Sequence, residues 1–175
     1  MGQETKGTNS EAAGSREVTA SADVRIRTAD LTDKPAVEAL LRLNNLSATS
    51  ILAPHTLYLI AENGGGEPVG AVGLELGTSC GLLRSATVHP QYQGKGIGTV
   101  LTTELLSAAA TAGLRVIYLF STGAGAFWRK LHFNNVPVQE IVSELPESHQ
   151  VREYVQKDLL QSEVAWRLNL RREAG

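Results

Sequence analysis

The chain is poor in cysteine: Cys80 is the only one among 175 residues. One thiol excludes an intramolecular disulfide and argues against a structural zinc site. It suits a reducing compartment, so a cytoplasmic location is expected. The four histidines show no metal-ligand spacing, and no metal is expected. Net charge is only −2, too weak a field to recruit nucleic acid or an anionic membrane. No apolar run reaches the roughly 18 residues needed to span a bilayer. The opening "MGQETKGTNSEAAGSREVTASAD" lacks the basic-then-apolar order of a secretory signal. Lys6 also stands where a myristoylation site has Ser or Thr. Residues 1–22 are mostly Gly, Ser, Thr, Ala and charge. They cannot repay the entropy of ordering and are expected to form a flexible tail. With no internal repeat and no linker, residues 23–171 are expected to form one domain.

What is present is an ordinary globular composition, 42% hydrophobic and 19% charged. "VRIRTA" (Val24 to Ala29) alternates apolar and polar, as a half-buried strand does. "LTDKPAVEALLRLNNL" follows, with Thr32 as a candidate cap and Val37, Leu40, Leu41 and Leu43 on one helical face. "LYLIAE", "NGGGEP" and "VGAVGLEL" read as a hairpin, with Asn63-Gly64 at the turn. "LLRSATV" makes a third meander strand ending at His89-Pro90. Ile97, Leu101, Leu105, Ala108 and Ala112 share a helical face that Gly113 terminates. The nearly all-apolar "RVIYLF" reads as a buried strand, followed by a short helix over "AFWRKL" and the segment "VPVQEIVS". A polar helical stretch near "PESHQVREYVQ" and a last strand, "VAWRLNL", close the chain. This order suits a mixed α+β sheet better than an alternating doubly wound one.

Between the meander and the second helix lies "VHPQYQGKGIGT", with glycine at positions 94, 96 and 98. A helix start presents unpaired N–H groups and a positive dipole end, and glycines let an anion approach without meeting a Cβ. The P-loop needs Gly-Lys-Ser/Thr, but Lys95 precedes Gly96. The dinucleotide fingerprint needs a third glycine where Thr99 stands, and an acid in "RVIYLF", which has none.

The pattern Gln93-x-x-Gly96-x-Gly98, after "TVHP" and before a helix, resembles the pyrophosphate motif of the GNAT superfamily of acyl-CoA N-acyltransferases. "AFWRKLHF" (Ala126 to Phe133) resembles that family's helix after the fifth strand, and the element order agrees over roughly residues 24–170. "VGLE", "LLRSATVHP" and "AFWRKLHF" look most like the arsenic-resistance N-acetyltransferases within it. The resemblance implies a mostly antiparallel sheet of about six to seven strands flanked by helices. It also implies an acetyltransferase that uses acetyl-CoA as acyl donor and needs no metal. The amides of Gln93, Gly94, Lys95, Gly96, Ile97 and Gly98, with Thr99, would cradle the pyrophosphate, and the Lys95 side chain would add charge. Ala86, Thr87 and Val88 would pair with the pantetheine arm, the Val88 amide serving the thioester oxygen.

For catalysis, an amine must first lose a proton. Glu75 in "GLEL" is the first candidate base and Glu62 a weaker one. Arg84 interrupts an apolar strand and has two readings, a grip on a substrate carboxylate or an ion pair with a residue such as Glu75. One departure stands out. Where many family members have a tyrosine that protonates the leaving thiolate, this chain has Trp128, and where they have glycine it has His132. An indole N–H is a poor acid. Trp128 is then expected to pack on the acyl-CoA, leaving His132, Tyr118 or water as helpers.

The expected acceptor is the primary amine of a small molecule, an amino acid or similar compound if Arg84 faces the cleft. The alternatives are a protein or peptide amine and a non-catalytic acyl-CoA-binding module. The polar segment from Ser143 to Ser162 is long enough to close the cleft, which favours a small acceptor. The closing strand is expected at a sheet edge, where it would permit a homodimer.

Overall fold

The computed structural model describes residues 24–171, so the expected N-terminal tail lies outside the described residues. Seven strands form one sheet: β1 (Arg25–Thr28), β2 (Thr56–Glu62), β3 (Pro68–Leu76), β4 (Cys80–Val88), β5 (Val116–Phe120), β6 (Asn134–Val136) and β7 (Ala165–Asn169). Their order is β1-β2-β3-β4-β5-β7-β6. All neighbours are antiparallel except β4 and β5, which run parallel. The strand "VAWRLNL" is therefore not an edge: β7 is paired on both sides, and β1 and β6 carry the free edges. The premise for a dimer through that strand falls, because each of its ladders already has a partner.

The helices are α1 (Lys34–Leu43), α2 (Ile97–Thr111), α3 (Gly125–Lys130), α4 (Val138–Glu144) and α5 (His149–Gln156). None is long and apolar enough to cross a membrane among the described residues. Strand alternation sorts them into two layers. Tyr58, Ile60 and Ala71 face α1 through Val37, Leu40 and Leu41, while Leu82 and Tyr118 face α4 and α5 through Ile141, Leu145 and Val151. The alternate residues Leu59, Ala61, Val72 and Leu83 pack with Ile97, Leu101, Leu105 and Ala109 of α2 and with Trp128 of α3. Ala109, rather than Ala108 or Ala112, completes the buried α2 stripe.

Local details depart from expectation for identifiable reasons. The start of the first helical segment is capped by Asp30, whose side chain accepts from the Thr32 amide, and Asp33 returns a bond to the Asp30 amide. This capping box makes Thr32 a donor instead of the cap. In the β2–β3 turn the positive φ falls on Gly66, at 78°, because the Asn63 side chain takes the amides of Gly65 and Glu67 and shapes the loop itself. Gly113 ends α2 with φ 89°, as its position predicts.

Candidate active site

The glycine loop arrives at α2 with an unpaired main chain. Gly94 and Gly96 have φ of 76° and 83°, a left-handed conformation that a Cβ would strain. Gly96 is the N-cap of α2 and supplies no side-chain cap. None of the N–H groups from Gln93 to Thr99 has a hydrogen-bond acceptor among the described residues; the first to find one is Val100, which donates to the Gly96 carbonyl. A Cβ added at Gly94 or Gly96 would meet open space. The loop is thus a row of amides at the positive end of a 15-residue helix, the arrangement that binds anions. A pyrophosphate fits it.

The side chains around the loop hold its shape. Gln93 donates to the Val88 carbonyl and to Asn44 Oδ1, while Asn44 Nδ2 donates to the same carbonyl and to Thr87 Oγ1 at 2.6 Å. Thr87 Oγ1 also donates to the Leu40 carbonyl, so its side chain is buried beneath α1. Ile97 is buried in the core and offers only its amide. Lys95 Nζ lies 5.2 Å from the Tyr92 ring centre, a cation–π contact at the loop surface.

Along β4, ladder geometry decides which amides are free. The His89 amide bonds the Val69 carbonyl at 2.7 Å. Alternation then turns Thr87 toward β3 and the N–H group of Val88, which pairs with Gly70, away from it. It does not meet β5, because the parallel pairing stops at Leu82 with Tyr118. The register with β3 slips between Ala71 and Gly73. This is a β-bulge, with Ser85 at φ 58°, a conformation few serines adopt. Tyr58 crosses Gly73, where a Cβ would lie 2.4 Å from the ring, and its hydroxyl meets Ser85 Oγ at 3.2 Å. The bulge breaks period-two alternation, so neighbouring Arg84, Ser85 and Ala86 all line one cavity.

That cavity, about 130 Å³, fills the gap where β4 and β5 part. It opens onto both layers: Trp128 of α3 lines it from one side, Gln150 and Tyr154 of α5 from the other. Trp128 Nε1 and Gln150 Oε1 are buried without a hydrogen-bond partner among the described residues, a costly condition in an isolated fold. Gln150 Nε2 donates to the Tyr154 hydroxyl at 3.0 Å, which leaves that hydroxyl's hydrogen free. Burial pushes the Tyr154 phenol above its usual range, so it stays protonated at neutral pH.

The Acetyltransferase (GNAT) family profile matches residues 25–133, well over half of the chain. The chain belongs to this family. No curated protein sequence matches it. Solved structures share the fold. A GNAT-family acetyltransferase from Staphylococcus aureus aligns with TM-score 0.66 and 16% identity, over 85% of this chain and 99% of its own. A Mycobacterium tuberculosis protein in complex with CoA and NLQ aligns with TM-score 0.65 and 22% identity, over 83% and 99%. N-acetylglutamate synthase from Neisseria gonorrhoeae, complexed with coenzyme A and L-arginine, aligns with TM-score 0.64 and 22% identity over 86% of this chain. The chain spans about a third of that synthase, 34% of its length.

In this acetyltransferase the remaining expected residues fall into separate places. Glu75 does not line the β4–β5 cavity; it borders a second one, about 330 Å³, on the far side of its pairing with Arg84. Its Oε2 accepts from Arg84 Nη1 at 3.3 Å, Ser148 Oγ at 3.0 Å and the Gln150 amide at 3.1 Å, and its Oε1 from the His149 amide at 2.6 Å. The carboxylate thus closes the N-terminus of α5. Of the two readings of Arg84, the ion pair with Glu75 is the one observed. Glu62 is tied to Arg27.

Of the candidate helpers, Tyr118 lies beneath α4, its phenol pushed up to about 12 by burial and by Glu140. His132 sits exposed at the C-terminal end of α3 with φ 70°, in the left-handed position where glycine would be unstrained. Neither reaches the cavity. Trp128 does, in edge-to-face contact with Phe127 and Phe133. Arg129 stacks on Trp166 with its guanidinium 5.1 Å from the ring centre, which settles it on the protein surface. Gln150 and Tyr154 were not singled out from sequence. Their i, i+4 spacing in "HQVREYVQ" puts both on one helical face and was the available sign.

Proposed function

We propose that this acetyltransferase moves an acetyl group from acetyl-CoA to the primary amine of a small molecule. The observation that carries the reading is the row of unpaired amides from Gln93 to Thr99 in front of α2. These amides would hold the pyrophosphate, and the end of β4 from Ala86 to Val88, with the outward Val88 N–H, would take the pantetheine arm. When bound, acetyl-CoA supplies an acyl carbon that exchanges its bond to sulfur for one to the amine nitrogen, the proton lost by the amine balancing the free thiol.

The chain's own residues do the rest. A neutral cavity disfavours an ammonium and lowers the pKa of an amine held in it. Tyr154 holds a proton at its hydroxyl facing the cavity, the acid that the tryptophan at position 128 cannot be. Glu75 anchors α5 and keeps Arg84 in place, and water removes the amine proton. The small cavity, walled by α5, supports a small acceptor over a protein or peptide chain. The likeness of three stretches to arsenic-resistance acetyltransferases supports a detoxifying role.

The test is direct. Purified protein given acetyl-CoA and a panel of primary amines should release free thiol in proportion to N-acetylated product. Stabilisation by acetyl-CoA with no thiol release from any amine would refute acetyl transfer and leave a binding module.

A further inference from the structure

The acceptor's chemical class follows from the state of one arginine. Among the described residues Arg84 is the only charged side chain lining the β4–β5 cavity, and its side chain is 2% exposed. All three of its nitrogens are engaged: Nη1 with Glu75, Nη2 with the Thr49 carbonyl at 2.6 Å, Nε with Ser85 Oγ at 3.4 Å. Glu75 neutralises it. A substrate carboxylate would have to displace Glu75, which would abandon the Ser148 hydroxyl and two α5 amides as well. Left undisplaced, the newcomer would be a buried anion facing a net charge of zero.

The other polar side chains lining the cavity, Ser47, Ser85, Ser121, Gln150 and Tyr154, are neutral too. The volume, about 130 Å³, favours a small body between those groups.

We infer that the acceptors are small primary amines whose other polar groups are uncharged, amino amides or amino alcohols, and that the Glu75–Arg84 pair excludes α-amino carboxylates. This rests on the transfer reading above and narrows its substrate.

The experiment compares glycinamide and alaninamide with glycine and alanine. Rates are expressed per concentration of free-base amine, because the amides titrate lower. Thiol release should give kcat/KM at least about tenfold higher for the amides, the scale on which a misfit polar group is discriminated. Equal or higher values for the carboxylates overturn the inference. In parallel, calorimetric titration of the CoA-loaded protein should show binding of alaninamide and none of alanine. Binding of alanine as tight as alaninamide, or of neither, also overturns it. Amide binding without thiol release would sink acetyl transfer and leave the inference standing. Glu75→Gln keeps the shape and removes the neutralising charge, so the amide preference should shrink to a few-fold. If that variant does not fold, the two wild-type measurements decide.

Discussion

Two helices in this protein begin in opposite ways. α5 starts at Ser148, whose hydroxyl takes the Val151 amide, while Glu75 takes the amides of His149 and Gln150. α2 starts at Gly96 with no side-chain cap and with no acceptor for its first three amides among the described residues. Both carry the same kind of positive end. One is filled by the chain itself and serves stability. The other is left open, and under the proposed function an anion brought from outside would complete it.

The largest effect should come from emptying the filled end. Glu75→Ala strips α5 of its anion and leaves Arg84 buried without a counter-charge, a change expected to cost about 3–5 kcal/mol. Urea unfolding measures it. A loss under about 1 kcal/mol would mean that α5 is held by its apolar face alone.

Filling the open end is the converse. Thr99 is exposed in the first turn of α2. Thr99→Glu should stabilise the fold by about 0.3–1 kcal/mol through the helix dipole. The same carboxylate should weaken acetyl-CoA binding about tenfold or more, roughly 1.4 kcal/mol. Opposite signs in melting temperature and in affinity would sharpen the contrast. Affinity unchanged would break it.

A third helix start gives the smallest effect. Arg27 holds the Asp33 carboxyl below its usual range, and Asp33 accepts the Asp30 amide before α1. Because the folded pKa is lowered, its contribution is complete above the ordinary carboxylate value, about 3.9. It fades as pH falls through the folded value. The stability gap between wild type and Asp33→Asn should therefore be constant from pH 7 to 5 and shrink below pH 4. A gap that persists at pH 2 would assign it to packing.

The same contrast shows what the sequence could disclose. The open end was legible because main-chain chemistry is written in glycine spacing: Gly94 and Gly96 take the left-handed angles, and Gly96 is the N-cap of α2. Most of the order of strands and helices along the chain followed from local periodicity. The filled end was harder, since Glu75 and its α5 partners lie 73 to 75 residues apart and no local pattern joins them. Its pairing with Arg84 was one of two readings that the residues allowed. The bulge at Ser85 was hidden, because serine gives no sign of a left-handed angle. Without it, alternation sends Ser85 to the face opposite Arg84, and the cavity that joins them cannot be drawn. The placement of β7 was misjudged because three residues, Asn134–Val136, suffice to cover its outer ladder.

Under the proposed function the α2 amides await a diphosphate. Amide hydrogen exchange followed by NMR, residue by residue, tests it most directly. On adding coenzyme A, the amides from Gln93 to Thr99 should become protected as a block, while His149, Gln150 and Val151 at the start of α5 keep the rates they had. Unchanged exchange across Gln93 to Thr99 at saturating coenzyme A would contradict it.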